Sequence, residues 1–144
     1  VRIEGGDVIV HNEYLFVGYA NEKDFYGYKT ARTNENGLNY LKEKFPAKKV
    51  IGIELNKSDY EPRENALHLD CCFQPLGLGH ALIFEDGFKN QSSFLCSIFK
   101  YMFNFIIYLV INQKNKIKQF KINQLLKKQP ENFLTVFHLL EQTL

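Results

Sequence analysis

Tryptophan is absent from this chain, and cysteine occurs only three times, at Cys71, Cys72 and Cys96. An odd count without a Cys-x-x-Cys pair argues against a disulfide framework and for reduced thiols in a reducing, cytoplasmic compartment. No stretch has the basic, apolar, small-residue layout of a secretory signal. A large excess of one charge is also missing. The net charge of +2 is too small to imply a nucleic-acid partner. The chain opens at Val1 without an initiator Met, so its start is expected to lie upstream.

A second absence divides the chain. The last glycine is Gly87, and residues 97–144 hold no Gly, Ala, Asp or Arg. Residues 1–90 carry 11 basic and 14 acidic side chains, a balance of −3; residues 97–144 carry seven Lys against Glu131 and Glu141, a balance of +5. Composition rarely changes so sharply inside one compact domain. Two regions are expected, 1–90 and 91–144. In the second, residues 94–111 are nearly all apolar and read as a helix. Lys100 lies inside that run, and a span needs about 20 apolar residues with few charges, so a true membrane span is not expected; the alternative reading of the chain is a non-catalytic short protein whose helix at 94–111 anchors it to a membrane or binds a partner. Residues 113–128 read as a solvated helix, Pro130 breaks it, and residues 133–140 read as a short apolar helix.

The first region has an α+β pattern. Residues 8–10 and 14–19 are β-branched and aromatic around His11-Asn12-Glu13, which predicts a β-hairpin. Residues 21–31 read as a loop that covers a pocket. Thr33 or Asn34 can cap a helix in which Leu38, Leu41 and Phe45 recur at helical spacing, and Pro46 ends it. Residues 50–55 and 67–73 read as strands, with a turn at 75–79 and a returning strand at 80–84. The order ββαβ and then ββ suits one unit of a repeated array.

The chemistry gathers around Leu67-His68-Leu69-Asp70. On a strand, residues two apart face the same side, so His68 and Asp70 are expected to point together. Specific binding of a planar guanidinium takes carboxylates that accept paired hydrogen bonds, and Asp70 and Glu4 are candidates. Breaking a C–N bond at its carbon takes a strong nucleophile and a group that can deliver and remove protons; His68 suits the second task. Arg32 is a candidate to hold a substrate carboxylate. Asp7 is a further substrate-binding candidate, with a structural role bonding backbone N–H groups as its alternative. Gly5-Gly6 lets backbone approach a ligand.

These residues resemble a known family. Ile3-Glu4-Gly5-Gly6-Asp7-Val8, Phe16-Val17-Gly18, Ala31-Arg32-Thr33-Asn34 with Gly37, and Leu67-His68-Leu69-Asp70 resemble successive signatures of the guanidino-modifying enzymes. Those are the arginine deiminases, dimethylargininases and amidinotransferases of the pentein, or five-bladed α/β propeller, fold. The resemblance runs from about residue 2 to about residue 90. It implies a partial propeller of ββαβ modules that works without cofactor or metal. It implies that Glu4 and Asp70 bind the guanidinium, that His68 is the general acid/base, and that Arg32 clamps the substrate carboxylate. The pairing of Glu4 with Asp70 is closer to the deiminase pattern than to the animal dimethylargininases. The implied partner is a small guanidino substrate, turned over by hydrolysis or by amidino transfer.

The departures are equally specific. The family's nucleophilic cysteine lies near the C-terminus after further modules, and no such segment is recognisable here. Residues 1–144 are therefore expected to be an inactive piece of such an enzyme, with 91–144 foreign to the family. Cys72, on the expected face of His68 and Asp70, is a tempting nucleophile, but the resemblance places that group elsewhere; Cys96 sits in an apolar run. His68, Asp70 and His80 match no strong zinc signature.

Overall fold

The computed structural model describes residues 1–77, 80–90, 106–111 and 116–121. Its first sheet has three strands in the order β1 (Val8–His11), β2 (Tyr14–Tyr19), β3 (Lys49–Glu54). β1 and β2 are antiparallel, His11 opposite Tyr14. Their turn places Asn12 at φ 52°, a left-handed conformation that asparagine tolerates well. β3 runs parallel to β2, in register from Tyr14 opposite Lys49 to Tyr19 opposite Glu54.

The crossover between β2 and β3 carries two helices, α1 (Glu22–Gly27) and α2 (Glu35–Lys44). α2 fulfils the expectation for this segment. Asn34 Oδ1 accepts from the Gly37 N–H at 2.9 Å, and the chain leaves the helix at Phe45, just before Pro46. α1 replaces an expected loop. Asn21 caps it by accepting from the Asp24 N–H at 2.8 Å. Six residues leave no room for an apolar period, so only the cap could have announced it.

β2 is buried on both faces, and its alternation assigns them. Leu15 and Val17 pack with Leu38 and Leu41 of α2. Tyr14 and Phe16 face the other way, into a core with Ile53, Leu55, Leu69, Phe73, Ile83 and Phe88. Phe16 and Phe73 meet edge to face, centroids 5.0 Å apart. That core joins the first sheet to the segment that carries His68.

The second sheet has the order β4 (Phe73–Gly77), β5 (His80–Ile83), β6 (Ile106–Ile111), β7 (Lys116–Lys121). β4 and β5 are antiparallel with an irregularity between Pro75 and Gly77, and β5 and β6 are parallel. The two sheets thus share one connectivity, an antiparallel pair followed by a parallel third strand.

Beyond α1, further expectations are corrected. Residues 75–77 of the expected turn belong to β4. Residues 67–73 are not a strand: Leu69–Cys71 form a 3-10 turn, and the strand begins at Phe73. Residues 106–111, assigned above to a helix, are a strand paired in parallel with β5 and antiparallel with β7. Residues 116–121, read as solvated helix, are β7. β-branched and aromatic residues in short runs fit either state until a neighbouring strand is available, and β5 is available. The expected helical residues 94–105 and 133–140 lie outside the described residues. Among the described residues no helix is long and apolar enough to cross a membrane.

Candidate functional site

The reason residues 66–71 turn lies in two buried charges. Lys57, 6% exposed, donates from Nζ to the carbonyl oxygens of Ala66 at 2.6 Å and Leu67 at 3.0 Å. Asp7, 1% exposed, accepts the Leu69 N–H at 3.0 Å through Oδ1. Side chains thereby take backbone groups that a strand would offer to a neighbour. His68 is held between these anchors in an extended conformation, φ −137° and ψ 166°, and the chain then enters the 3-10 turn.

The second Asp7 oxygen accepts the Thr33 hydroxyl at 2.6 Å, and the same hydroxyl oxygen accepts the Glu4 N–H at 3.1 Å. One buried carboxylate therefore fixes the backbone beside His68 and, through Thr33, the backbone of Glu4. Burial pushes the Asp7 carboxyl up; the Thr33 bond, the Lys57 charge, the Leu69 N–H and His68 oppose it. Burial pulls the Lys57 ammonium down, with Asp7 the main group acting against that.

The N-terminal arm is tied on at α2. Asn34 Oδ1 accepts from the Arg2 N–H at 3.0 Å, and the Asn34 N–H donates to the Arg2 carbonyl at 3.2 Å. Gly37 makes this approach sterically feasible, because a Cβ there would lie 2.2 Å from that carbonyl oxygen. Gly6 serves a related purpose. A Cβ at Gly6 would stand 2.8 Å from His68 Cγ, whereas one at Gly5 would meet nothing within 4 Å. The close approach made by the glycine pair is to the histidine ring.

On this foundation the predicted residues converge. His68 Nε2 lies 2.9 Å from Glu4 Oε2, across 64 positions of sequence. A carboxylate only accepts, so this contact is a hydrogen bond in the tautomer that carries its proton on Nε2. Arg32 Nε stands 4.0 Å from Glu4 Oε1, an ion pair open to water on both sides. Asp70 is exposed in the turn. One ligand atom from each of His68, Asp70 and Cys71 lies within 4.8 Å of the other two. The face therefore holds two carboxylates, one imidazole and one guanidinium. It can offer a small cation paired acceptors and a proton donor while Arg32 meets an anion. Asp7 lies beneath this group, with both oxygens engaged inside the protein.

The turn also exchanges the two neighbouring cysteines. Cys72, expected on the face of His68, is buried; its Sγ contacts the Leu69 carbonyl oxygen at 3.4 Å, and burial pushes its thiol strongly up. Cys71 is exposed, with Sγ 3.5 Å from Asp70 Oδ1. No site role was expected for Cys71, for Thr33, which was expected only as a helix cap or motif member, or for Lys57. Thr33 stands beside Arg32 in its motif, but nothing local marks Lys57, which acts across nine and ten residues.

No family model matches the chain. It is 29% identical over 91 residues to YkgA, an uncharacterised protein of Bacillus subtilis (strain 168), covering 63% of this chain and 26% of that protein. The fold resembles the solved N-terminal domain of ArgZ, an arginine dihydrolase from the ornithine-ammonia cycle in cyanobacteria, determined with product bound. The TM-score is 0.50 at 21% identity, over 74% of this chain and 33% of that one. The chain thus spans about a quarter of the first relative and a third of the second, and the likeness to the second is one of fold, a mixed α+β architecture.

Proposed function

We propose that residues 1–90 carry the guanidinium-binding part of a cysteine-dependent enzyme acting on arginine or a methylated arginine. The observation that carries this reading is the convergence of His68 and Arg32 on the two oxygens of Glu4, at 2.9 and 4.0 Å. The motif order and the fold of an arginine dihydrolase domain agree with it.

In this reading Glu4 and Asp70 accept the guanidinium N–H groups, and Arg32 pairs with the substrate carboxylate. A thiolate supplied from outside residues 1–90 attacks the guanidinium carbon and forms a C–S bond. The C–N bond to the leaving group breaks, and His68 gives that nitrogen a proton as ammonia or amine departs. A thiouronium remains on sulfur. His68 then takes a proton from water, the oxygen adds to the carbon, and the C–S bond breaks to release a citrulline-type ureido product. An amine in place of that water makes the same site an amidinotransferase. Cys72 is too deeply buried to be the nucleophile.

Calorimetric titration of the 144-residue chain with L-arginine tests the binding half. Dissociation constants on the order of millimolar are expected for so open a site. Glu4→Gln and Asp70→Asn should each weaken binding about tenfold or more, the loss of one charge-assisted pair. Equal affinity for norleucine, which lacks the guanidinium, would reject the reading.

A further inference from the structure

We infer that His68, Asp70 and Cys71 form a three-ligand site for a soft divalent cation of the zinc class. The turn Leu69–Cys71 is what creates it. On the strand expected from sequence, Cys71 would have faced away from His68 and Asp70; in the turn its sulfur joins them, all three ligand atoms lying within 4.8 Å of one another. Asp70 Oδ1 and Cys71 Sγ, at 3.5 Å, already have the separation of two ligands on one tetrahedral metal. Bond lengths of about 2.0–2.3 Å to N, O and S set that edge. Asp70 and Cys71 are exposed, so the remaining closure needs only side-chain rotation.

The donor set selects the metal. An imidazole nitrogen and a thiolate favour zinc-like ions, whereas calcium and magnesium require six or more oxygens or retained waters. Three protein donors leave the fourth position open. The anchors below are rigid, since Lys57 and Asp7 hold the backbone on either side of His68. His68 and Asp70 are also the residues offered to a guanidinium, so metal and arginine exclude each other; this last clause rests on the function proposed above.

The test is Co2+ titration of the full chain in a Cys96→Ser background, without arginine, followed by displacement with Zn2+. A single equivalent should bind with a thiolate-to-cobalt charge-transfer band. Cys71→Ser should remove the band and weaken Zn2+ binding at least tenfold, and Asp70→Asn should weaken it. Cys72→Ala should leave both unchanged, and Mg2+ should not compete. An undiminished band in Cys71→Ser, or its loss in Cys72→Ala, overturns the site. Arginine is then added to the Zn2+-loaded chain. Arginine that binds the metal-free chain alone supports exclusion, and arginine that binds both forms equally removes it. Failure of arginine to bind the metal-free chain overturns the guanidino reading and leaves the metal site standing.

Discussion

Asp7 and Glu4 are three residues apart and belong to one motif, yet they are opposite kinds of carboxylate. Asp7 is 1% exposed, and both its oxygens accept hydrogen bonds, from Thr33 and from the Leu69 N–H. The side chain of Glu4 is 46% exposed, and among the described residues its carboxylate pairs with His68 and Arg32. A buried acceptor is costly to remove, because its donors lose their partner without gaining water. An exposed ion pair contributes little to folding, since water and side-chain entropy offset it. The buried carboxylate builds the site, and the exposed one is left available to a ligand.

The largest test of that contrast is Asp7→Ala against Glu4→Ala. Asp7→Ala strands the Leu69 N–H and the Thr33 hydroxyl and removes the main negative charge that favours the Lys57 ammonium. A loss of about 3 kcal/mol is expected in denaturant unfolding. Glu4→Ala should change stability by less than about 1 kcal/mol. Equal losses for the two would remove the distinction.

The adjacent glycines sharpen it at a smaller scale. Gly6→Ala puts a methyl 2.8 Å from His68 Cγ and must displace the ring, whereas Gly5→Ala enters open space. Gly6→Ala should cost about 1–2 kcal/mol and weaken arginine binding, as overpacking against a held side chain does. Gly5→Ala should be close to neutral. Thermal melts and arginine titrations of the two proteins make the comparison.

The smallest effect is in pH dependence. Burial raises the Asp7 carboxyl above its ordinary 3.8, so the folded chain holds that proton more tightly than the unfolded chain. Between those two values the fold binds the extra proton, and stability from this group falls as pH rises. Asp7→Asn removes the titration, and its amide oxygen can still accept the Leu69 N–H. Stability plotted against pH should therefore fall less steeply from about pH 4 upward in Asp7→Asn than in the parent. Parallel curves would mean that Asp7 titrates alike in both states.

Much of the first region was legible from residues alone. The hairpin around Asn12, the Asn34 cap with the Leu38 and Leu41 period, and the break before Pro46 are local signals, each complete within a few positions. The grouping of Glu4, Arg32 and His68 was legible only as a resemblance of ordered motifs, because contacts across 28 and 64 residues leave no local period. The segment at 67–73 misled for an identifiable reason. Its alternation of apolar and polar residues matches a strand, but its backbone groups are claimed by Lys57 and Asp7, which are distant in sequence. The same change decided which cysteine is exposed. Residues 106–111 misled because a short apolar run has no preference strong enough to resist a strand edge.

Local chain chemistry was thus sufficient for the Asn34 cap, the hairpin turn, the strand that is apolar on both faces, and the types of side chain that a guanidinium requires. Packing decided the rest: which carboxylate is buried and which is offered, the turn that follows His68, and the placement of Cys71 beside Asp70. A turn forms where tertiary partners take the backbone hydrogen bonds, and those partners lie too far along the chain for any local pattern to announce them.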